Sequence, residues 1–357
     1  MSHNSTMTPR VPKVTIGLDL GDRTSRTYDV NADGECESEA TVSTTVAGMT
    51  HCFGNRERCR VVLEVGTHSP WVSRLLEQLG HEAIVANPSA MFAGAPRRRR
   101  NDRLDARFLA RQGRADVELL YPITHRSAEA QRDLESLRAR DQLVAVRTKL
   151  INHVRGAVKS SGARLSRCSA EAFAKRAAGE VPPELAPALM ALVEVIADLT
   201  RRIARAEGQL AAITRERYPI AQRLQQPAGV GPLTALAFVL VIEDPHRFRK
   251  SRDVGPYFGL VPRLDDSGDS TPQLRISKAG DEFGRRLLVS AAQYMLGPFG
   301  PDCDLRRYGT AIAKRGGKNA KKRAVVAVAR KPAVLLHQLW ISGATYDADY
   351  QLKRRAA

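Results

Sequence analysis

Short apolar runs separated by turn residues open the chain. KVTIGLDLG is a continuous apolar stretch with β-branched residues, closed by Gly21, and predicts a buried strand. RTYDV and ESEATV predict two more strands, and the intervening NADGE carries an Asp-Gly pair suited to a tight hairpin. A helix is expected near Thr44–Cys52, then a buried strand in RVVLEVG. HSPWVSRLLEQLG is amphipathic and stops at Gly80, HEAIVANP predicts a fifth strand ended by Pro88, and a helix is expected from about Asn101. Residues 1–12 are polar, contain Pro9 and Pro12, and predict a disordered tail.

This order suits an α/β domain with a mixed sheet of ribonuclease-H-like type, although several other α/β topologies share it. From about Ser127 to Pro219 the period changes to helical. Leu189, Leu192, Ile196, Leu199, Ile203, Ala206, Leu210 and Ile213 alternate in steps of three and four, the seam of a coiled coil. An earlier row of Leu137, Val144, Ile151 and Val158 lacks a clean companion because Asp141, Thr148 and Arg155 interrupt it. Pairing within one chain or with a second protomer is equally compatible with this pattern. A third region opens with QPAGVGPLTALAFVL, where Gly229 and Gly231 flank a turn into an apolar helix. Such a turn can offer backbone amides to a phosphate. A tight turn in an ordinary helix pair has the same sequence.

Composition then narrows the function. The 357 residues carry 56 Lys and Arg against 38 Asp and Glu, a formal net charge of +18. Such a balance favours a polyanionic partner, with nucleic acid ahead of an anionic membrane surface. The apolar runs look too short to span a bilayer, and no signal stretch opens the chain. Five scattered cysteines without a CxxC pair argue against a disulfide framework or a zinc module, leaving His51, Cys52 and Cys59 as a weak partial metal set. The expected compartment is the reducing bacterial cytoplasm, at the nucleoid.

The densest cationic run, RRRRNDRLDARFLARQGR, contains two acids, Asp102 and Asp105. Three apart on a helix, they share one side, while Arg103, Arg107, Arg111 and Arg114 form a stripe facing elsewhere. Asp19 lies in the first strand and Glu64 ends the fourth. In a ribonuclease-H-like sheet those strands are neighbours and the last helix crosses them, so all four acids converge. Clustered carboxylates repel unless a divalent cation binds, and Mg²⁺ suits all-oxygen ligands. Each acid alone has an ordinary structural explanation as a cap or an arginine partner; the set of four favours a metal. In DDSGDST, Ser267 beside Gly268 reads as a turn, since no histidine base stands nearby in sequence.

IGLDLG, LEVGTHSP, IVANP, NDRLDAR, GVGPLTA, YFGLVPR, the DSG of the loop, ISKAGDEFGRRLL and VAVARK together resemble the DEDD-type insertion-sequence transposases of the IS110 group, over about Val14 to Trp340. The resemblance implies an RNA-guided serine recombinase. It implies a RuvC-like domain at 13–125, a coiled-coil helical linker at 126–220 and a mainly α transposase domain with a serine loop at 221–345, between tails at 1–12 and 346–357. Asp19, Glu64, Asp102 and Asp105 match the family's Mg²⁺-binding acids (with Mn²⁺ as a substitute), and Ser267 matches the serine that attacks the scissile phosphate. DNA, a structured guide RNA and a dimer pairing into a tetramer are the implied partners, without a membrane. Arg97, Arg98, Arg99, Arg100, Arg103 and Arg107 are then expected on nucleic-acid backbone, as are Gly229, Gly231, Lys278 and Arg285, with a solvated basic helix as the alternative for the last two.

The chain departs from the family at three places: Arg100 or Asn101 stands where a lysine and a threonine are usual, Ala228 replaces a proline, and Pro332 interrupts the final helix. Two rival readings remain open. One is a RuvC-like junction endonuclease in which the acids activate water; the other is a non-catalytic RNA- or DNA-binding protein.

Overall fold

The computed structural model describes residues 12–91, 102–263 and 274–356. Of the expected site residues, Arg97, Arg98, Arg99, Arg100 and Ser267 lie outside these, as do the side chains of Asp102 and Arg103. The chain divides into two compact units, 1–126 and 127–357. The N-terminal unit is α/β with a mixed five-stranded sheet, and the rest is mostly helical.

In the first unit β1 (Thr15–Asp19), β2 (Thr24–Val30) and β3 (Cys36–Ser43) form an antiparallel meander. Its β2–β3 turn is the predicted one: the Asn31 side chain accepts from the Asp33 and Glu35 amides, and Gly34 takes a positive φ of 86°. After helix α1 (Val46–Phe53), capped by Thr45, strand β4 (Arg60–Glu64) pairs parallel to β1. Helix α2 (Ser69–Gln78) leads to β5 (Glu82–Ala86), parallel to β4, so the order is β3-β2-β1-β4-β5. A short α3 (Pro88–Met91) and α4 (Asp102–Ala115) complete the unit.

Strand alternation sorts the two faces. Ile16, Leu18, Val61 and Leu63 bury against Met49, Phe53, Val72 and Leu76 of α1 and α2. The opposite face meets α4: Tyr28 and Val30 pack with Ala106 and Ala110, and Val62 with Leu109. The approach is close because Gly17 has no side chain. A Cβ there would stand 1.9 Å from the Ala106 carbonyl oxygen, and one on Gly113 would stand 2.3 Å from Val62.

The second unit begins with two long helices, α5 (Ala128–Ser160) and α7 (Ala186–Arg217), joined through α6 (Phe173–Glu180). Arg147 donates to Thr200, Arg140 pairs with Glu207, and Tyr218 donates to Asp133, so the helices run antiparallel within one chain. Leu189, Ile196, Leu199, Ile203 and Leu210 of the predicted seam are buried. On α5, buried Arg147 stands between buried Leu137 and Ile151 and reaches across to α7. After α8 (Ile220–Arg223) comes α9 (Pro232–Ile242), buried from Ala235 to Ile242 as an all-apolar helix must be. Then follow α10 (Val254–Tyr257), α11 (Glu282–Leu296), α12 (Asp304–Lys314), α13 (Ala320–Ser342) and α14 (Tyr350–Ala356).

One expectation needs correcting: α13, with 23 residues, meets the length and hydropathy of a membrane span. Its position explains the composition, since Ala324, Val328, Ala329, Ala333 and Leu336 are fully buried against the other helices of the unit. The helix also continues through Pro332.

Candidate functional site

Asp19 and Glu64 end neighbouring parallel strands. The β1–β4 register pairs Gly17 with Val62 and Leu18 with Leu63, which sets Asp19 beside Glu64 at the next step. Gly17 and Val62 both face α4, so two residues further on both carboxylates leave the sheet on that same face. Arg26 lies directly opposite Asp19 on β2, and Ala86 opposite Glu64 on β5. One row across the carboxyl end of the sheet therefore reads Arg26, Asp19, Glu64, Ala86.

α4 runs back along β1. Gly113 lies near Thr15, and Ala106 and Ala110 lie at Gly17. A strand rises about 3.3 Å per residue and a helix about 1.5 Å, so the level of Asp19 corresponds to the first turn of α4. That turn holds Asp102 and Asp105. Asp102 occupies the helix position in line with buried Ala106, Leu109 and Gly113, and Asp105 is half-buried. Among the described residues, no three of His, Cys, Asp or Glu gather closely enough to hold a metal. Asp19, Glu64 and Asp105 thus share one end of one face without closing into a ligand set by themselves.

Arg107, Arg111 and Arg114 of the arginine stripe lie on the exposed side of α4. The Arg107 guanidinium stands 5.9 Å from the Tyr28 ring centroid, and Arg114 donates to the Ala32 carbonyl at 2.9 Å. Two neighbours of the acids escaped the sequence reading. The Trp71 indole donates to His68 Nδ1 at 3.1 Å, and His68 Nε2 lies 3.6 Å from Asp22. His68 and Asp22 follow Glu64 and Asp19 by four and three residues, and only the strand register signals their proximity. His51, Cys52 and Cys59 do not act as a set; Cys59 instead contacts His81, with Sγ 3.2 Å from Nδ1.

In the second unit, the flanks of the serine-bearing segment are zipped together. Arg263 and Ser277 amides donate to Arg275 and Val261 carbonyls, and Pro262 bridges Ile276. At the base of this stem Gly259 and Gly280 both take positive φ, and a Cβ on either would strike the backbone of Ala279 or Tyr257 within 2.2 Å. Arg285 is placed differently from both expectations for it. It is buried, and its guanidinium donates to the Phe258 carbonyl at 3.1 Å and the Ala279 carbonyl at 3.0 Å, clamping both flanks. Lys278 is exposed, with an unusual φ of 56°. Gly229 packs on α11, where a Cβ would meet the Ala291 oxygen at 2.6 Å, while Gly231 and Pro232 leave the α9 N-terminus exposed.

The family described as Transposase IS116/IS110/IS902 matches residues 221–303, and a DEDD transposase family of IS110 type matches residues 16–161. The transposase for insertion sequence element IS1111A of Coxiella burnetii is 32% identical over 261 residues, spanning 69% of this chain and 68% of that relative. The chain belongs to the IS110 family of transposases. A probable family 20 transposase of Pseudomonas aeruginosa is 28% identical over 91% of this chain and 96% of its own length. The transposase for insertion sequence element IS1328 of Yersinia enterocolitica is 29% identical over 79% of this chain and 84% of its own. This IS110-family transposase is accordingly a DNA-processing enzyme, of a family that uses divalent metal ions.

Proposed function

We propose that this transposase excises and inserts its own element by attack of the Ser267 hydroxyl on a DNA phosphodiester, with Asp19, Glu64, Asp102 and Asp105 holding Mg²⁺ at the reacting phosphate. The observation that carries the reading is the pairing of Asp19 with Glu64 on the α4 face. Two carboxylates at adjacent strand ends offer all-oxygen donors, which fit Mg²⁺ or Mn²⁺ better than a softer metal. Bound there, the ion would orient the phosphate and neutralise charge developing on its oxygens.

The serine oxygen forms the new P–O bond, and the displaced sugar oxygen leaves with a proton. The resulting phosphoserine keeps the phosphodiester's energy for rejoining to a second strand. Arg285 serves this step indirectly by fixing the loop's flanks. Arg97 to Arg100, Arg103 and Arg107 grip nucleic-acid backbone, and Lys278 and the Gly229–Gly231 turn add contacts. A structured RNA bridges donor and target DNA, and the working form is a dimer that pairs into a tetramer.

The test incubates the purified chain with DNA of the element's ends and Mg²⁺. Covalent protein–DNA adducts are expected, to be abolished in Ser267→Ala and Asp19→Asn, and copurified RNA should map beside the reading frame. Continued cutting by Ser267→Ala would instead establish a water-using endonuclease. Indifference to metal removal and to Asp102→Asn would reduce the chain to a binding protein.

A further inference from the structure

Phe299 is 84% exposed, the most exposed large apolar side chain among the described residues. It sits at the tip of Gly297-Pro298-Phe299-Gly300-Pro301, between α11 and α12. This loop is built to hold it out. Arg306 Nη1 donates to three carbonyls, Met295 at 2.8 Å, Gly297 at 2.7 Å and Gly300 at 2.8 Å. A Cβ on Gly300 would stand 2.2 Å from the Met295 oxygen, and the two prolines fix their own φ. These contacts pin the backbone on both sides of Phe299 and leave its ring in water, where it is available to a partner.

The charge of the helices that flank this loop points to the occupant. From residue 287 to 331 the chain carries ten Lys or Arg and two acids, and both acids, Asp302 and Asp304, are tied to Arg307. The helix that supplies Arg306 also presents Tyr308, 41% exposed, with the Lys331 ammonium 5.0 Å from its ring centroid. Aromatic faces set among excess cations suit a polyanion whose bases can stack. We infer that Phe299 is a wedge that stacks on an unpaired nucleobase of the DNA or RNA bound by this transposase.

The inference rests on nucleic-acid binding by the chain, and the experiment separates the two. The full-length protein is titrated with a duplex containing a short unpaired bubble that carries a fluorescent adenine analogue, with the fully paired duplex, and with the same bubble in RNA. Tighter binding to a bubble, with a change in analogue fluorescence, is expected, and the polymer that responds identifies the strand. Phe299→Ala should weaken bubble binding about tenfold, as expected for removing one stacked base, and leave the paired duplex unchanged. Phe299→Trp should restore the response. A Lys321→Ala, Lys322→Ala, Arg323→Ala triple variant should weaken all three ligands alike. Wild-type bubble binding and fluorescence in Phe299→Ala would overturn the inference while leaving the transposase assignment intact. If that variant also dissociated in sedimentation, the phenyl ring would be a seat for a second copy. Failure of the wild type to bind any of the ligands would sink both readings.

Discussion

Gly17 lies so close to Ala106 that any side chain at position 17 would enter the α4 backbone. This approach sets the height of α4 above the sheet, and with it the level of the helix's first turn against the ends of β1 and β4. Replacing Gly17 by alanine should therefore cost about 1–3 kcal/mol through overpacking. Strand cleavage should fall further than stability accounts for. Thermal unfolding beside a cleavage assay checks this, and an unchanged melting temperature would contradict the described approach.

Arg285→Met removes a buried fork from the Phe258 and Ala279 carbonyls. The buried Phe258 carbonyl is left without this donor, which costs on the order of 1–3 kcal/mol, and the more exposed Ala279 carbonyl can turn to water. Because the clamp holds the serine loop's flanks rather than DNA, adduct formation should drop strongly while affinity for DNA stays near wild type. An equal fall in affinity and adduct would show that Arg285 touches the nucleic acid after all.

Asp19→Asn and Glu64→Gln should each abolish Mg²⁺-dependent cleavage with little change in the fold, since both sit at strand ends on the α4 face. Circular dichroism and cleavage across a Mg²⁺ titration test this. Wild-type turnover in either variant would remove that acid from the site.

His125 Nε2 lies 2.9 Å from the buried Ser69 hydroxyl, and burial, followed by repulsion from Arg74 and Arg126, pushes its pKa below the usual imidazole value. A depressed folded pKa means the unfolded chain takes up the proton first as pH falls. The stabilisation is complete above about pH 6.5 and declines below it. Denaturant midpoints at pH 7.5 and 5.5 should differ more for wild type than for His125→Gln, and an identical pH response would refute the coupling.

Nucleic-acid affinity should fall steeply with salt. Neutralising Lys321, Lys322 and Arg323 together should lower the log–log slope by about one for every phosphate those side chains pair with. An unchanged slope would place the polyanion on another surface.

The succession of strands and helices along the first unit, the Asp-Gly hairpin and the approximate starts of α1, α2 and α4 were legible in the sequence, because apolar period, Gly34, Gly80 and Pro88 are local signals. The same holds for the identity of the acids: a carboxylate closing an apolar strand is visible in GLDLG and RVVLEVG. That the seam of α7 buries against α5 of its own chain was not legible, since an apolar stripe does not name its partner. Nor was the burial of α13, because a basic, alanine-rich helix has the same composition in a core or a bilayer.

The sequence by itself determined which groups this transposase has to offer: the acids, the serine, the cationic runs and the periods that carry them. Tertiary structure alone decided which of them meet. Asp19 and Glu64 share a face because parallel register aligns them, and the missing Gly17 side chain lets α4 cover that face. Arg285 left the pool of phosphate ligands because two carbonyls from distant turns needed a buried donor. Residues far apart in the chain are brought together by packing, and packing depends on how the elements fit, which no local pattern records.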